Sequence, residues 1–214
     1  SLIALGDPDD QQFINAKVGL YTDPEMRKVH WRNMSNNTVV YESKPDRATL
    51  EMLFQKIVTE GEPGFFNLEA ARKRRPNAQG LNPCAEIILD DRGVCNLSTV
   101  NMFAFVDKVR GRFDWTRLEQ AFRLAVRIGL RQTNVELSMP EWSYVQKRDR
   151  LTGVSMTGWM DALDALGWSD TGPEALYLLA NLNHVCQDES LRYAKQMRVP
   201  APLLVTAGKP EATL

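Results

Sequence analysis

Two cysteines stand in settings suited to chemistry. Cys84 lies inside Asn82-Pro83-Cys84-Ala85-Glu86, and Cys95, eleven residues on, opens Cys95-Asn96-Leu97-Ser98-Thr99-Val100-Asn101. A thiol bracketed at alternate positions by an amide and a carboxylate, with a second thiol close in sequence, suits redox or radical work on a polar substrate. In extended backbone, residues i, i+2 and i+4 project to one face, so the spacing predicts that Asn82, Cys84 and Glu86 point the same way. A carboxylate beside a thiol weakens it as an anionic nucleophile, whereas a cysteine hydrolase needs a nearby base or positive charge. The two histidines, His30 and His184, stand in no nucleophile–base signature. A neutral thiol that loses a hydrogen atom instead of a proton tolerates Glu86 as a neighbour and leaves that carboxylate free to act as general base on a substrate hydroxyl. Zinc held by Cys84, Cys95 and Glu86 is disfavoured, because the Cys-x-x-Cys and His spacing of structural sites is absent; no metal is expected.

These residues need elements to position them. Asp46 is placed to cap a helix running through Glu60, with Leu50, Leu53, Phe54, Ile57 and Val58 at helical spacing and Gly61 as the stop. The basic run Arg72-Lys73-Arg74-Arg75-Pro76-Asn77 reads as a solvated helix end and loop leading to the reactive segment. Ala85 to Leu89 and Val94 to Val100 read as strands joined by a turn at Asp90-Asp91-Arg92-Gly93. A simple hairpin there would place Cys84 and Cys95 roughly 13 Å apart at strand rise, too far for a disulfide and consistent with separate roles. Asp114 or Thr116 is expected to cap a helix carrying Leu118, Phe122, Ala125, Val126 and Gly129 near one face. Trp142 to Arg150 reads as a polar helix, and Pro173 begins a helical stretch through Met197 before a last strand at Leu203-Leu204-Val205-Thr206. Cys186 falls in the helical pattern as packed core. Strands alternating with helices make the fold class α/β.

The 214 residues are 43% hydrophobic with a formal charge of -1, enough for a sizeable core and without the basic footprint of a nucleic-acid binder. No apolar run has the roughly 18 to 20 residues of a membrane helix, and the opening Ser1-Leu2-Ile3-Ala4-Leu5-Gly6 lacks a signal-peptide pattern, so a cytoplasmic address is expected. Three cysteines make no secreted disulfide framework. Without internal repeats or linkers, residues 1–214 read as one unit.

The segment around Cys84 and Cys95 resembles the large subunit of ribonucleotide reductase, whose catalytic Asn-x-Cys-x-Glu loop precedes a redox cysteine in a Cys-x-Leu-Ser type strand. Five further blocks resemble that family in order: Asp7 through Lys17, Trp31 through Val39, Gly61 through Asn67, Leu151 through Gly158, and Val205 through Leu214. Ser35-Asn36-Asn37 and the Lys-Pro-Glu-x-Thr-Leu ending are most similar to class II, the adenosylcobalamin-dependent branch.

The resemblance implies part of a ten-stranded α/β barrel whose reactive loop crosses the interior, a partial catalytic domain truncated at both ends. It implies a ribonucleoside di- or triphosphate substrate, adenosylcobalamin, a thioredoxin-like reductant and flanking reductase segments as partners. Cys84 becomes the thiyl radical that takes the 3′ hydrogen, Glu86 takes the 3′-hydroxyl proton, and Asn82 binds the substrate hydroxyls. Cys95 becomes half of the reducing dithiol, its partner lying on sequence further toward the N-terminus. Pro210, Glu211, Ala212 and Thr213 match the phosphate-holding segment, with Ala212 where glycine is usual, and Ser35, with Asn36, Asn37 and Thr38, belongs either to a strand near substrate or to a plain turn or strand end. Two other readings stand beside this one: a class I large-subunit fragment served by a separate radical-generating protein, and a non-catalytic piece that completes another chain's barrel.

Overall fold

The computed structural model describes residues 2–209, so Pro210, Glu211, Ala212 and Thr213 lie outside the described residues. The chain divides into two compact units, Ser1–Asp91 and Arg92–Leu214.

In the first unit the elements are β1 (Leu2–Gly6), α1 (Gln11–Ile14), a 3-10 stretch (Met26–Met34), β2 (Ser35–Tyr41), α2 (Arg47–Glu60), β3 (Gly64–Asn67), α3 (Leu68–Arg74), β4 (Gly80–Leu81) and β5 (Ile88–Leu89). β2 is the centre of a parallel sheet, with Leu2 opposite Ser35 on one side and Thr38 opposite Gly64 on the other. A parallel strand is covered on both faces, and β2 shows it by alternation. Val39 and Tyr41 pack with Ile14 and Leu53 of α1 and α2. Val40 turns the other way, onto Leu68, Ala71, Ala78 and Ile88.

α2 begins where Asp46 accepts the Thr49 amide proton and ends at Gly61, whose φ of 74° is the left-handed conformation that glycine takes without a Cβ penalty. Its expected apolar stripe is only half used. Leu53 is enclosed, whereas Val58 is 87% exposed and Phe54 packs edge-on against Phe65 at the rim. The basic run also departs from expectation at one position: Arg75 is buried, and its Nη1 donates to the Ile88 carbonyl at 2.9 Å. Burial there is repaid by fastening β5, so Arg75 belongs to the framework and not to a solvated loop.

The second unit comprises β6 (Asn96–Asn101), a 3-10 turn (Met102–Phe105), β7 (Val106–Asp107), β8 (Arg112–Phe113), α4 (Trp115–Gln132), α5 (Pro140–Asp149), β9 (Thr152–Thr157), α6 (Trp159–Leu166) and α7 (Pro173–Met197). Asp114 caps α4 by accepting from the Arg117 amide. Leu118, Phe122, Ala125 and Val126 of that helix join Leu182, Val185 and Cys186 of α7 in a core under Val100 and Val154 of the sheet. α4 lies so close to β9 that a Cβ on Gly129 would sit 3.1 Å from the Thr152 side chain.

β6 pairs in parallel with β9 from Asn96–Thr152 to Asn101–Thr157. This overturns the hairpin expected between residues 85–89 and 94–100. β5 pairs instead with its sequence neighbour β4, and β6 gains a six-residue ladder that a two-residue strand cannot match. The estimate of 13 Å between Cys84 and Cys95 rested on that hairpin and falls with it. Val205 and Thr206 run beside β9 through a bridge from Thr206 to Val154, although 203–206 is not a regular strand. The architecture is α/β, as expected, with parallel pairing in β1–β2–β3 and β6–β9 and antiparallel pairing in the two-residue pairs β4–β5 and β7–β8. Among the described residues no sheet closes on itself, and no helix is long and apolar enough to cross a membrane.

Candidate active site

β4 and β5 form a short antiparallel hairpin, Gly80 opposite Leu89 and Leu81 opposite Ile88, and the loop between them carries Asn82, Cys84 and Glu86. The loop is closed by its own backbone. The Asn82 amide donates to the Ile87 carbonyl at 3.1 Å, and the Ala85 amide donates to the Asn82 carbonyl at 2.9 Å. Pro83, with its fixed φ, suits the second position of that turn. Ala85 takes a φ of 66°, which L residues adopt only at a cost that surrounding contacts must offset.

The turn overturns the expected pleat. Asn82, Cys84 and Glu86 are not alternate residues of an extended strand, and the turn sets each direction separately. Asn82 is buried, and its Oδ1 accepts the Ile87 amide proton at 2.9 Å, so its side-chain carbonyl is consumed in holding the loop shut. Cys84 is exposed at the apex. Both carboxylate oxygens of Glu86 are enclosed and have no hydrogen-bond partner among the described residues. An enclosed acceptor without a donor is costly and rare in folded proteins. A thiol open to approach can, once oxidised to its thiyl radical, take a hydrogen atom from a neighbouring group, and a carboxylate with unfilled acceptor capacity on the same turn can take a proton from a hydroxyl.

The loop is tied to β2 from outside. Asn36, exposed on that strand, donates from Nδ2 to the Pro83 carbonyl at 2.6 Å. Ser35 lies beside it with its hydroxyl 3.0 Å from Asn37 Oδ1. The family resemblance implied a strand at Ser35 but offered no sign of the Asn36 tether, whose partner lies 47 residues away.

Cys95 belongs to the second unit, half-buried, immediately before β6. The next residue is anchored: Asn96 Nδ2 donates to the Leu151 carbonyl at 3.1 Å and to Gln146 Oε1 at 3.4 Å. Cys186 is fully buried as expected, and desolvation pushes its thiol up to about 12. Among the described residues no cluster of three His, Cys, Asp or Glu side chains is placed to hold a metal.

Known proteins share both the fold and the loop-bearing segment. The family model described as ribonucleotide reductase, barrel domain, matches residues 2–199, and the chain belongs to that family. An adenosylcobalamin-dependent ribonucleoside-triphosphate reductase of Lacticaseibacillus paracasei is 34% identical over 173 residues, 74% of this chain and 21% of the relative. The protein of the same description from Lactobacillus gasseri is 29% identical over 247 residues, 99% of this chain and 31% of the relative. A crystal structure of a B-12 dependent (class II) ribonucleotide reductase superposes with a TM-score of 0.76 at 25% identity, over 96% of this chain and 31% of that one. This chain therefore spans only a fifth to a third of the length of these relatives.

Proposed function

We propose that this chain forms part of the catalytic subunit of an adenosylcobalamin-dependent ribonucleotide reductase, within a ten-stranded barrel, and that it carries the turn on which the substrate radical is made. Ribonucleoside triphosphate is the substrate class, from the description of the relatives. The observation that carries the reading is one turn that bears an exposed Cys84 thiol and, two residues on, a Glu86 carboxylate whose oxygens have no donor among the described residues. A substrate 3′-hydroxyl supplies the missing donor.

In this reading Cys84, as a thiyl radical, takes the hydrogen atom from C3′; the C3′–H bond breaks and an S–H bond forms. Glu86 takes the 3′-hydroxyl proton while the 2′-hydroxyl leaves as water, general-base help of a kind worth about 10² to 10⁴ in rate. A dithiol of which Cys95 is one half supplies two electrons and two protons and becomes a disulfide: one proton leaves with the 2′-hydroxyl as water, the other makes the new C2′–H bond, and the electrons reduce the C2′ radical and then the 3′-ketone. Glu86 returns its proton to the 3′-oxygen, and Cys84 returns its hydrogen atom to C3′ and is again the thiyl radical. Asn82 orients the substrate hydroxyls, while Ser35 and the segment Pro210, Glu211, Ala212 and Thr213 bind substrate. A thioredoxin-like protein regenerates the dithiol, flanking reductase segments complete the site, and the cytoplasm is the compartment.

Adenosylcobalamin supplies the oxidising radical equivalent when bound. The exposed Cys84 thiol at the turn apex is the group of this chain open to that oxidising equivalent. The test uses the reductase containing this chain, adenosylcobalamin, a dithiol and ribonucleoside triphosphate tritiated at C3′. Wild type should release tritium and form deoxynucleotide, Cys84→Ser should release none, and Cys95→Ser should still release tritium from C3′ but form no deoxynucleotide, because half of the dithiol is gone. Equal release from wild type and Cys84→Ser would remove the thiyl assignment.

A further inference from the structure

Two of the family-like sequence blocks, the one ending in Lys17 and the one containing Glu62, have no role in the chemistry above, nor has Asn36 in the block that carries Ser35. In the first unit they meet at the N-terminal end of β2. There the strand has a ladder partner on one side only, because pairing to β1 begins at Ser35 whereas pairing to β3 begins at Thr38. On the β3 side, Ser35 and Asn37 would present bare backbone groups, which is costly where water is excluded. Lys17 and Glu62 take the place of the absent strand. The ammonium of Lys17, itself buried, donates to the Ser35 carbonyl. Glu62 Oε2 accepts the Asn37 amide proton at 3.0 Å and pairs with Lys17 Nζ at 2.7 Å.

The backbone is therefore clamped on both flanks of Asn36, and Asn36 is the residue that reaches the Pro83 carbonyl at 2.6 Å. That carbonyl belongs to the peptide unit joining Pro83 to Cys84. We propose that Lys17, Glu62 and Asn36 are positioning residues for Cys84: the ion pair holds the end of β2 rigid, and Asn36 carries that rigidity to the peptide from which the thiol projects. The loop's internal hydrogen bonds close the turn, and Asn36 sets where the closed turn sits on the sheet. The inference rests on the proposed radical chemistry for its functional meaning, but the anchor itself can be tested without it.

Asn36 is exposed, so Asn36→Ala removes the tether without opening the core, and Asn36→Asp keeps the shape while deleting the donor. Amide hydrogen exchange by mass spectrometry should show residues 82–87 exchanging about five- to tenfold faster in both variants, the scale of losing one hydrogen bond. The strand amides of β2 and the thermal midpoint should stay unchanged. Glu62→Gln, which keeps an acceptor for the Asn37 amide but ends the ion pair, should give a smaller increase in the same segment. In the assembled reductase, Asn36→Asp should lower kcat for tritium release from C3′ with KM unaltered. Exchange in 82–87 identical to wild type would overturn the anchor whatever the activity. Faster exchange in a protein whose wild type releases no tritium would support the anchor and count against the radical reading alone.

Discussion

Glu86 is the residue at which stability and chemistry pull apart. Its two carboxylate oxygens are enclosed without a donor among the described residues, and that arrangement costs a folded protein about 1 to 3 kcal/mol. An apolar side chain of similar length removes the cost. Glu86→Met should therefore raise the unfolding free energy by roughly 1 kcal/mol in denaturant titration while abolishing proton transfer from the 3′-hydroxyl. A loss of stability in Glu86→Met would mean that the oxygens find donors in the native protein and are not waiting for a substrate. Asn82 illustrates the opposite case. The family resemblance implied a substrate contact for it, but its Oδ1 is occupied by the Ile87 amide, so part of its role is to shape the loop.

Among the elements, α4 and α7 are joined by charge as well as by apolar packing. Glu189 on α7 is fully buried, and it accepts from Arg127 Nε at 2.6 Å and Arg123 Nη1 at 3.1 Å on α4, and from Arg192 Nη2 at 2.6 Å within its own helix. Burial opposes its ionisation, but the hydrogen bonds from Arg192, Arg127 and Arg123 outweigh burial and hold its carboxyl below the usual range. A depressed folded-state pKa stabilises the protein above the unfolded value of about 4.3, and that stabilisation is lost as pH falls through the folded value. Breaking such a cluster from one side costs about 3 to 5 kcal/mol, because the remaining charges stay partly desolvated. Glu189→Ala should show that deficit at pH 7 by chemical denaturation, and the gap to wild type should narrow as the pH drops below 4. A gap independent of pH would show that the carboxylate contributes by packing alone.

For the molecule as a whole, the three cysteines report on different depths of the fold. Cys84 is exposed, Cys95 is half-buried, and Cys186 is enclosed with its thiol pushed up to about 12. At pH 8 such a thiol is ionised to only about one part in 10⁴, and only the thiolate reacts. Timed alkylation read by peptide mass should therefore label Cys84 first and Cys95 later. Cys186 should be labelled only at the rate of global unfolding. Labelling of Cys186 ahead of Cys95 under native conditions would contradict the α4–α7 core.

Local physics made much of this protein legible from its residues. The Asp46 cap and Gly61 stop of α2, the Asp114 cap of α4, the Pro173 start of α7 and the burial of Cys186 depend on neighbours within a turn or two, so residue types and spacing suffice to place them. The reactive segment was recognisable for a similar reason, since Asn82, Cys84 and Glu86 lie within five residues. What the tertiary structure alone decided was which strands pair and what holds the loop. β6 pairs with β9, 56 residues along, because a six-residue parallel ladder backed by α4 and α7 outweighs a local hairpin. The pleat expected for Asn82 to Glu86 gave way to a turn because β4 and β5 are only two residues long and the chain must reverse between them. Lys17, Glu62 and Asn36 carry no mark of their partners in the sequence: each acts on a backbone group 18 to 47 residues distant, and a carbonyl or amide without a ladder partner exists only once the sheet has formed.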